Sequence, residues 1–207
     1  MCGIVGIVDA GGASRPLYYA LFALQHRGQE SAGISTWDGS SFYKYKGMGL
    51  VSEVFSEQIL RDLKGHAGVG HVRYPTTGAN LPENSQPFNF RFRDHHFAIA
   101  YNGNLVNAKN LREGFEQKGE IFSTTTDTEV VASTIVDEFR RSGRIEEAII
   151  HCMHTRRGSY SVVLMLDGII YAFRDPMGIK PLCIGTTEKG YMVASESVAV
   201  DALGGTL

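Results

Sequence analysis

The chain has 207 residues, 43% of them hydrophobic and 20% charged, which is an ordinary globular composition with enough length for one hydrophobic core. Its formal net charge of −2 comes without a basic stripe, which argues against nucleic acid or a membrane surface as partner and favours a small molecule. The three cysteines form no CxxC pair and leave one over, so neither a disulfide framework nor a cysteine-rich metal site is indicated. Without a signal-peptide pattern or an apolar run of about 18 residues, a soluble cytoplasmic protein is expected.

The first half of the chain is predicted to consist mainly of strands in hairpin-like succession. The apolar run at 4–9 predicts a short buried strand, and a Gly-Gly turn leads from it into a helix from about Pro16. A second helix is expected at about 53–64. Four further strands are predicted at 32–37, 42–47, 67–74 and 96–102.

The second half is predicted to contain a block of helices and then a block of strands. The helices are expected at 108–118, 128–141 and 145–155. The strands are expected at 159–166, 169–174, 182–186 and 191–195, with turn signals between them. Strand blocks on both sides of a helix block predict an α+β fold, with helices packed outside antiparallel sheets.

The opening stretch MCGIVGIVD places a thiol at the second position, directly before the first predicted strand. If Met1 is removed, Cys2 carries both a thiol and a free α-amine. The reference pKa is near 8.5 for a thiol and about 7.7–8.0 for an α-amine, so the amine is partly neutral at physiological pH and can serve as the base. The plain alternative is a small hydrophobic residue at the start of a strand.

Two arginines stand in polar stretches further along. In LQHRGQESAG, Arg27 interrupts an apolar helix and is expected to lower the pKa of a nearby thiol, the structural alternative being a helix C-cap at Gly28. In GHVRYPTTG, Arg73 ends a strand beside two threonines, which suits bidentate capture of a carboxylate. As an isolated motif, this arginine is more typical of a surface salt bridge.

Two later stretches each allow a structural and a functional interpretation. In YNGNL, Asn102-Gly103 is first of all a tight-turn signal, but the Asn102 amide and the Gly103 N–H also suit an oxyanion site. In STTTDTE, Asp127 is a good N-cap candidate for the helix that follows. An acid at that position alternatively suits the ammonium group of a substrate.

These five stretches, in this order from Cys2 to about Ser197, resemble the class II glutamine amidotransferase domain, a member of the N-terminal nucleophile hydrolases. Within that class, ALQHRGQESAGI and GHVRYPTTG are most similar to the amidotransferase domain of the amidophosphoribosyltransferase family. Glucosamine-phosphate synthases tend to read YRGYDSAG and TRWATHG, and asparagine synthetases HRGPD; neither pattern is present. The ordered set is far more specific than any one motif.

The resemblance implies a four-layer αββα sandwich of two antiparallel sheets flanked by helices, formed by residues 2–207 as one domain. It implies that Cys2, freed by removal of Met1, attacks the side-chain amide of L-glutamine, and that its α-amine moves the proton. Arg27 then supports the thiol and a closing loop at about 74–78.

The same resemblance assigns roles around the nucleophile. Asn102 and Gly103 hold the oxyanion, Arg73 the α-carboxylate of glutamine and Asp127 its α-ammonium. Two further substrate-binding residues are expected on the closing loop, Tyr74 and Thr76.

An ammonia acceptor is implied as well, in the form of a phosphoribosyltransferase domain or subunit that makes phosphoribosylamine from phosphoribosyl pyrophosphate in de novo purine synthesis. The acidic DD signature of that domain does not occur in this chain, which ends at VDALGGTL without a capping element or charged tail. We therefore expect the N-terminal part of a longer, homo-oligomeric enzyme, or a separate subunit. No metal or cofactor is expected in this domain; Mg²⁺ is expected only with the phosphoribosyltransferase part, and three cysteines are too few for an iron–sulfur cluster.

Three alternatives stay open. The chain is a catalytically silent regulatory or docking module of the same fold, or a glutaminase domain that serves another synthase such as glucosamine-phosphate synthase. The third alternative is an N-terminal nucleophile hydrolase that acts on another amide, such as a bile-salt or penicillin-type substrate. An apolar pocket in place of Arg73 and Asp127 would favour that third class.

Overall fold

The computed structural model describes residues 1–74 and 81–207, and it contains two antiparallel sheets. The six-stranded sheet has the order β3-β2-β4-β1-β10-β9, and the four-stranded sheet has the order β5-β6-β7-β8. The strands of the first sheet are β1 Gly3–Asp9, β2 Ser31–Trp37, β3 Phe42–Met48, β4 Ala67–Arg73, β9 Cys183–Thr187 and β10 Gly190–Ala194. Those of the second are β5 Phe88–Phe92, β6 His95–Leu105, β7 Gly158–Leu166 and β8 Ile169–Arg174.

The helices lie in two groups that belong to different sheets. The first sheet packs against α1 Ser14–Ala23, α2 Val51–Val54, α3 Glu57–Asp62 and α7 Val198–Asp201. The second sheet packs against α4 Ala108–Glu116, α5 Asp127–Ser142 and α6 Ile145–Thr155. Short 3₁₀ turns occupy Gln25–Arg27 and Pro82–Asn84.

The hydrophobic core has three layers, one outside each sheet and one between the two sheets. Leu17 and Leu21 of α1 pack on the outer face of the first sheet, and Val131 and Ile135 of α5 pack on the outer face of the second. Between the sheets lies a third apolar layer, made by Ile4, Ala67, Val69, Ala98, Ala100, Val163, Met165 and Val193. The molecule is therefore a helix–sheet–sheet–helix sandwich, and the predicted α+β fold with four layers is confirmed.

Three elements differ from the prediction. The helix expected at 53–64 is two short helices, because Phe55 has extended backbone after α2 and Ser56 caps α3 by accepting a hydrogen bond from Ile59 N at 3.3 Å. Strand β5 is not among the predicted elements, although the alternating phenylalanines of FNFRF are a usable signal for it. Helix α7 is too short for its periodicity to be visible.

Within residues 1–74 and 81–207, no helix combines the length and the apolar character needed to cross a bilayer.

Candidate active site

The site begins where β1 and β4 start their pairing. Gly3 lies opposite Val72, so Cys2 falls opposite Arg73 at the end of the ladder. The thiol is 8% exposed; it donates to Tyr74 O at 3.6 Å and receives the Tyr74 N–H at 3.5 Å. The backbone of Tyr74 thus holds the sulfur, while the Tyr74 side chain is half exposed.

Burial decides the protonation of the thiol. Desolvation raises the pKa of Cys2, and the Tyr74 N–H and the positive charges of Arg73 and Arg27 counter only part of that rise. The lowering of the pKa expected from Arg27 is thus present, but the effect of burial outweighs it. A thiol kept neutral in this way needs a base to become a nucleophile.

Arg27 is a buried residue that holds the backbone of the nucleophile. Its Nε donates to Cys2 O at 2.9 Å, and its Nη1 forms an ion pair with Glu196. The guanidinium therefore does not satisfy the last carbonyls of a helix, so this part of the C-cap interpretation is wrong. Gly28 itself is the C-cap residue of the 3₁₀ turn Gln25–Arg27, with extended backbone. His26 also contacts this carboxylate, at 3.0 Å from Nε2.

Arg73 is paired inside the protein. Its Nη1 forms an ion pair with Glu30, and both side chains are almost completely buried. The surface salt bridge that the isolated motif suggested is therefore wrong. Buried ion pairs of this kind fix the orientation of a guanidinium because breaking them leaves an uncompensated charge.

The Asn-Gly pair lies inside a strand, so the interpretation of YNGNL as a tight turn is wrong. Strand β6 continues to Leu105, with Asn102 opposite Ser161 and Gly103 opposite Tyr160 of β7. A Cβ at position 103 would lie 2.5 Å from the Tyr160 Cβ, so only glycine fits there. The glycine is required by close packing of two strands.

The N–H of Gly103 points away from β7, as its neighbours indicate. Alternate residues of a strand direct their N–H groups to the same edge. Tyr101 N donates to Gln86 Oε1 at 2.8 Å and Leu105 N donates to Asp127 Oδ2 at 2.7 Å, both away from β7. Gly103 lies midway between them, so its N–H faces the same edge.

Asn102 provides a second donor. The residue is 2% exposed, and its Nδ2 is buried without a hydrogen-bond partner in the part of the chain that the structure describes. An unsatisfied buried donor typically costs about 1–3 kcal/mol, so the free Nδ2 calls for an explanation. Such a donor suits negative charge that develops during a reaction.

Asp127 is the first residue of α5, and its side chain does not cap that helix. Thr126 is the N-cap residue, and the Asp127 carboxylate reaches across to Leu105 N in β6. Burial raises the pKa of Asp127, against the opposing effects of the Leu105 N–H and the positive charge of Arg112. The N-cap interpretation is therefore wrong.

A single small cavity brings most of these residues together. Cys2, Arg73, Tyr74, Gly103 and Asp127 all line it. The other lining residues are Gln86, Tyr101, Thr126 and Thr128. A thiol, a backbone N–H and two opposite charges thus surround one volume.

Several site residues were not predicted, and one predicted residue is not described. Glu30 contacts Arg73 and Glu196 contacts Arg27 from distant parts of the chain, and Gln86 contacts Tyr101 beside the site. Of these four residues, Glu30 and Tyr101 fall in motifs singled out from the sequence. Thr76 lies outside the described residues. In residues 1–74 and 81–207 no group of three or more His, Cys, Asp or Glu side chains could hold a metal ion.

Comparison with known proteins places these residues in a family context. The family model described as "Glutamine amidotransferase domain" matches residues 71–202. Amidophosphoribosyltransferase of Archaeoglobus fulgidus is 45% identical over 99% of this chain and 45% of its own length. That of Bacillus subtilis is 42% identical over 99% of this chain and 43% of its own length.

A solved structure is also similar. Glutamine phosphoribosylpyrophosphate amidotransferase from B. subtilis, complexed with ADP and GMP, superposes with a TM-score of 0.90 at 41% identity, over 99% of this chain and 44% of that one. The chain thus spans less than half the length of the relatives it matches.

Proposed function

Since the chain belongs to the family of glutamine amidotransferase domains, we propose that it hydrolyses the side-chain amide of L-glutamine to glutamate and ammonia, with Cys2 as nucleophile. The observation that carries the proposal is the cavity in which the Cys2 thiol meets an inward-facing N–H and side chains of opposite charge. A zwitterionic amino acid needs one cationic and one anionic anchor, which Arg73 and Asp127 supply. An apolar amide would use neither.

The chemistry starts from the neutral thiol. After removal of Met1, the α-amine of Cys2 takes the thiol proton, and the sulfur adds to the side-chain carbonyl carbon of glutamine. The negative charge that forms on the carbonyl oxygen is stabilised by Asn102 Nδ2 and the Gly103 N–H. The ammonium at Cys2 then protonates the leaving nitrogen, the carbon–nitrogen bond breaks, and ammonia departs.

A thioester between Cys2 and the γ-glutamyl group is left. The α-amine, neutral again, takes a proton from water, and the resulting hydroxide adds to the thioester carbon. Collapse of that second intermediate breaks the carbon–sulfur bond, and the ammonium at Cys2 returns its proton to the departing thiolate. The new carboxyl group loses its proton to water and leaves as glutamate. Arg27 assists both halves by holding Cys2 O at 2.9 Å, which fixes the residue that carries nucleophile and base.

Ammonia made in this way is proposed to serve phosphoribosylamine formation from phosphoribosyl pyrophosphate in purine synthesis. The proposal is supported by relatives named amidophosphoribosyltransferase, which are 40–46% identical over nearly the whole of this chain. We propose residues 2–207 as the type 2 glutamine amidotransferase domain, acting in the cytoplasm with a phosphoribosyltransferase domain or subunit and as part of a homo-oligomer. In this scheme Mg²⁺ belongs to the phosphoribosyltransferase part, and this domain uses no cofactor.

The proposal is tested by glutamate release from glutamine. Cys2→Ala is expected to abolish it while thermal unfolding remains close to that of the wild type, because the substitution removes a single sulfur atom from a side chain that lines the cavity. Cys183→Ala is the matched control, since that thiol lies on β9 and contacts Ala194 O rather than the cavity. Hydrolysis that survives Cys2→Ala would overturn the mechanism, and a wild-type chain that binds glutamine without turnover would favour the silent module.

A further inference from the structure

Beside the site, the backbone edge of β6 forms hydrogen bonds with side chains instead of with a neighbouring strand. Strand β5 begins at Phe88, opposite Ile99, so the same register would put position 86 opposite Tyr101. Gln86 does lie there, but it contributes its side chain: Oε1 accepts the Tyr101 N–H at 2.8 Å. An amide oxygen thus replaces the backbone carbonyl of a partner strand.

The carbonyl group of Tyr101 contacts a histidine of the opposite sheet. His71 Nε2 lies 3.2 Å from Tyr101 O, and the ring is completely buried. Because a carbonyl oxygen only accepts hydrogen bonds, Nε2 is the protonated nitrogen of the ring. Burial lowers the pKa of His71 to about 3, so the ring is neutral and donates a single hydrogen bond from Nε2.

Both contacts join the sheet of the nucleophile to the strand of the oxyanion donors. His71 shares the inner face of β4 with Ala67 and Val69 and lies two residues before Arg73, which is opposite Cys2. The backbone of Gln86 packs on β2 of the same sheet, since a Cβ at Gly33 would lie 2.1 Å from Gln86 O. The two residues therefore reach across the sandwich from the side that carries the thiol.

We propose that His71 and Gln86 are positioning residues: together they hold the C=O and the N–H of Tyr101, and so set the Asn102 and Gly103 donors at a fixed distance from Cys2. The inference rests on the proposed function. Neither side chain needs to touch the reacting atoms, because Tyr101, whose backbone they hold, directly precedes Asn102 and Gly103 in the strand. Small errors in the placement of such donors lower the rate of the chemical step more than substrate binding.

The kinetic test compares glutamine hydrolysis by variants that remove or preserve the two hydrogen bonds. Gln86→Met and His71→Leu are expected to lower kcat about 10–100-fold with little change in KM, less than the roughly 10²–10³-fold of losing a donor outright. His71→Gln is expected to recover most of kcat, since its amide nitrogen can donate from the place of Nε2. Gln58→Met, at an exposed glutamine of α3, is the control for the substitution itself.

The structural test follows amide hydrogen exchange at Tyr101, which does not depend on activity. In Gln86→Met this amide is expected to exchange faster, while Asn102, whose N–H faces β7, stays protected and Gln58→Met changes neither. Unchanged exchange at Tyr101, or kcat within about twofold of wild type in both disruptive variants, would overturn the inference. A wild-type chain without glutaminase activity would instead overturn the proposed function, and the catalytic inference with it, while the exchange result still reports whether the contact exists.

Discussion

The two sides of the cavity are built differently. On the side of the first sheet, the cations are already paired, Arg27 with Glu196 and Arg73 with Glu30. On the side of β6, Asn102 Nδ2 is left without a partner among the described residues. The two sides thus differ in charge rather than in completeness: both cations on the Cys2 side already have a carboxylate partner, although Arg27 Nη2 and Glu30 Oε2 lack a hydrogen bond among the described residues. The β6 side instead offers a neutral amide donor, which we propose is used by charge that develops only during reaction.

Loss of the Asn102 amide donor is expected to have the largest effect on glutamine hydrolysis. Asn102→Leu keeps a side chain of similar size but removes Nδ2, so kcat for glutamine hydrolysis should fall roughly 10²–10³-fold. The variant should be no less stable than the wild type, because the amide donor it removes has no partner to lose. Steady-state kinetics and thermal unfolding measure both, and a variant that is fully active would show that the side chain is not an oxyanion donor.

A smaller effect is expected from the anionic anchor. Asp127→Asn keeps an oxygen that can accept the Leu105 N–H but loses the charge, so KM for glutamine should rise by about 10–100-fold, the range of a charge-assisted hydrogen bond. Glutamine lacking its α-amino group should bind the two proteins equally. An unchanged KM would remove Asp127 from the binding of the ammonium.

The same carboxylate predicts a pH dependence. Burial raises the pKa of Asp127 in the folded protein, so burying the charged carboxylate costs folding free energy. This cost is absent at a pH below the ordinary pKa of aspartate and fully present at a pH above the raised pKa. Asp127→Asn should therefore gain stability relative to wild type as pH rises to neutrality, and the difference should vanish in acid. Urea unfolding at pH 4 and pH 7 tests the sign, and a variant that loses stability at pH 7 contradicts it.

The smallest effect on activity is expected from changing the carboxylate that is paired with Arg73. Glu30→Gln removes the counter-charge of Arg73 but keeps an oxygen for it, so the guanidinium should attract the glutamine carboxylate more strongly and KM should fall a few-fold. The buried guanidinium then loses the negative charge of Glu30, and stability should drop by about 3 kcal/mol. Glu57→Gln, at an exposed ion pair, is the matched control, with an expected loss of about 1 kcal/mol or less. A rise in KM would indicate that Glu30 instead orients Arg73 for binding.

Most of the fold follows from local patterns in the sequence. Periodicity and turn signals are sufficient for β1, α6 and β8, whose predicted bounds differ by at most one residue from those of the structure. The errors lie where a tertiary contact overrides a local signal. Asn102-Gly103 reads as a turn, but pairing with β7 keeps it extended.

The site was harder to predict than the fold, because its supporting residues come from far along the chain. The nucleophile and the two anchors stand in recognisable motifs, whereas Glu196 is 169 residues from Arg27 and Glu30 is 43 from Arg73. No periodicity connects such pairs. Gln86 carries no local signal at all, since only the register of β5 and β6 places it opposite Tyr101.

The most direct test of the account is the intact mass of the purified chain before and after exposure to a diazoketone analogue of glutamine, with peptide mapping of any adduct. The account predicts a chain that lacks Met1 and gains one adduct, on Cys2, because this thiol lies in the cavity with both anchors of the amino acid. Glutamine in excess should protect it. A chain that retains Met1, a processed chain without an adduct, or an adduct on Cys183 would contradict the claim that Cys2 is a glutamine-specific nucleophile.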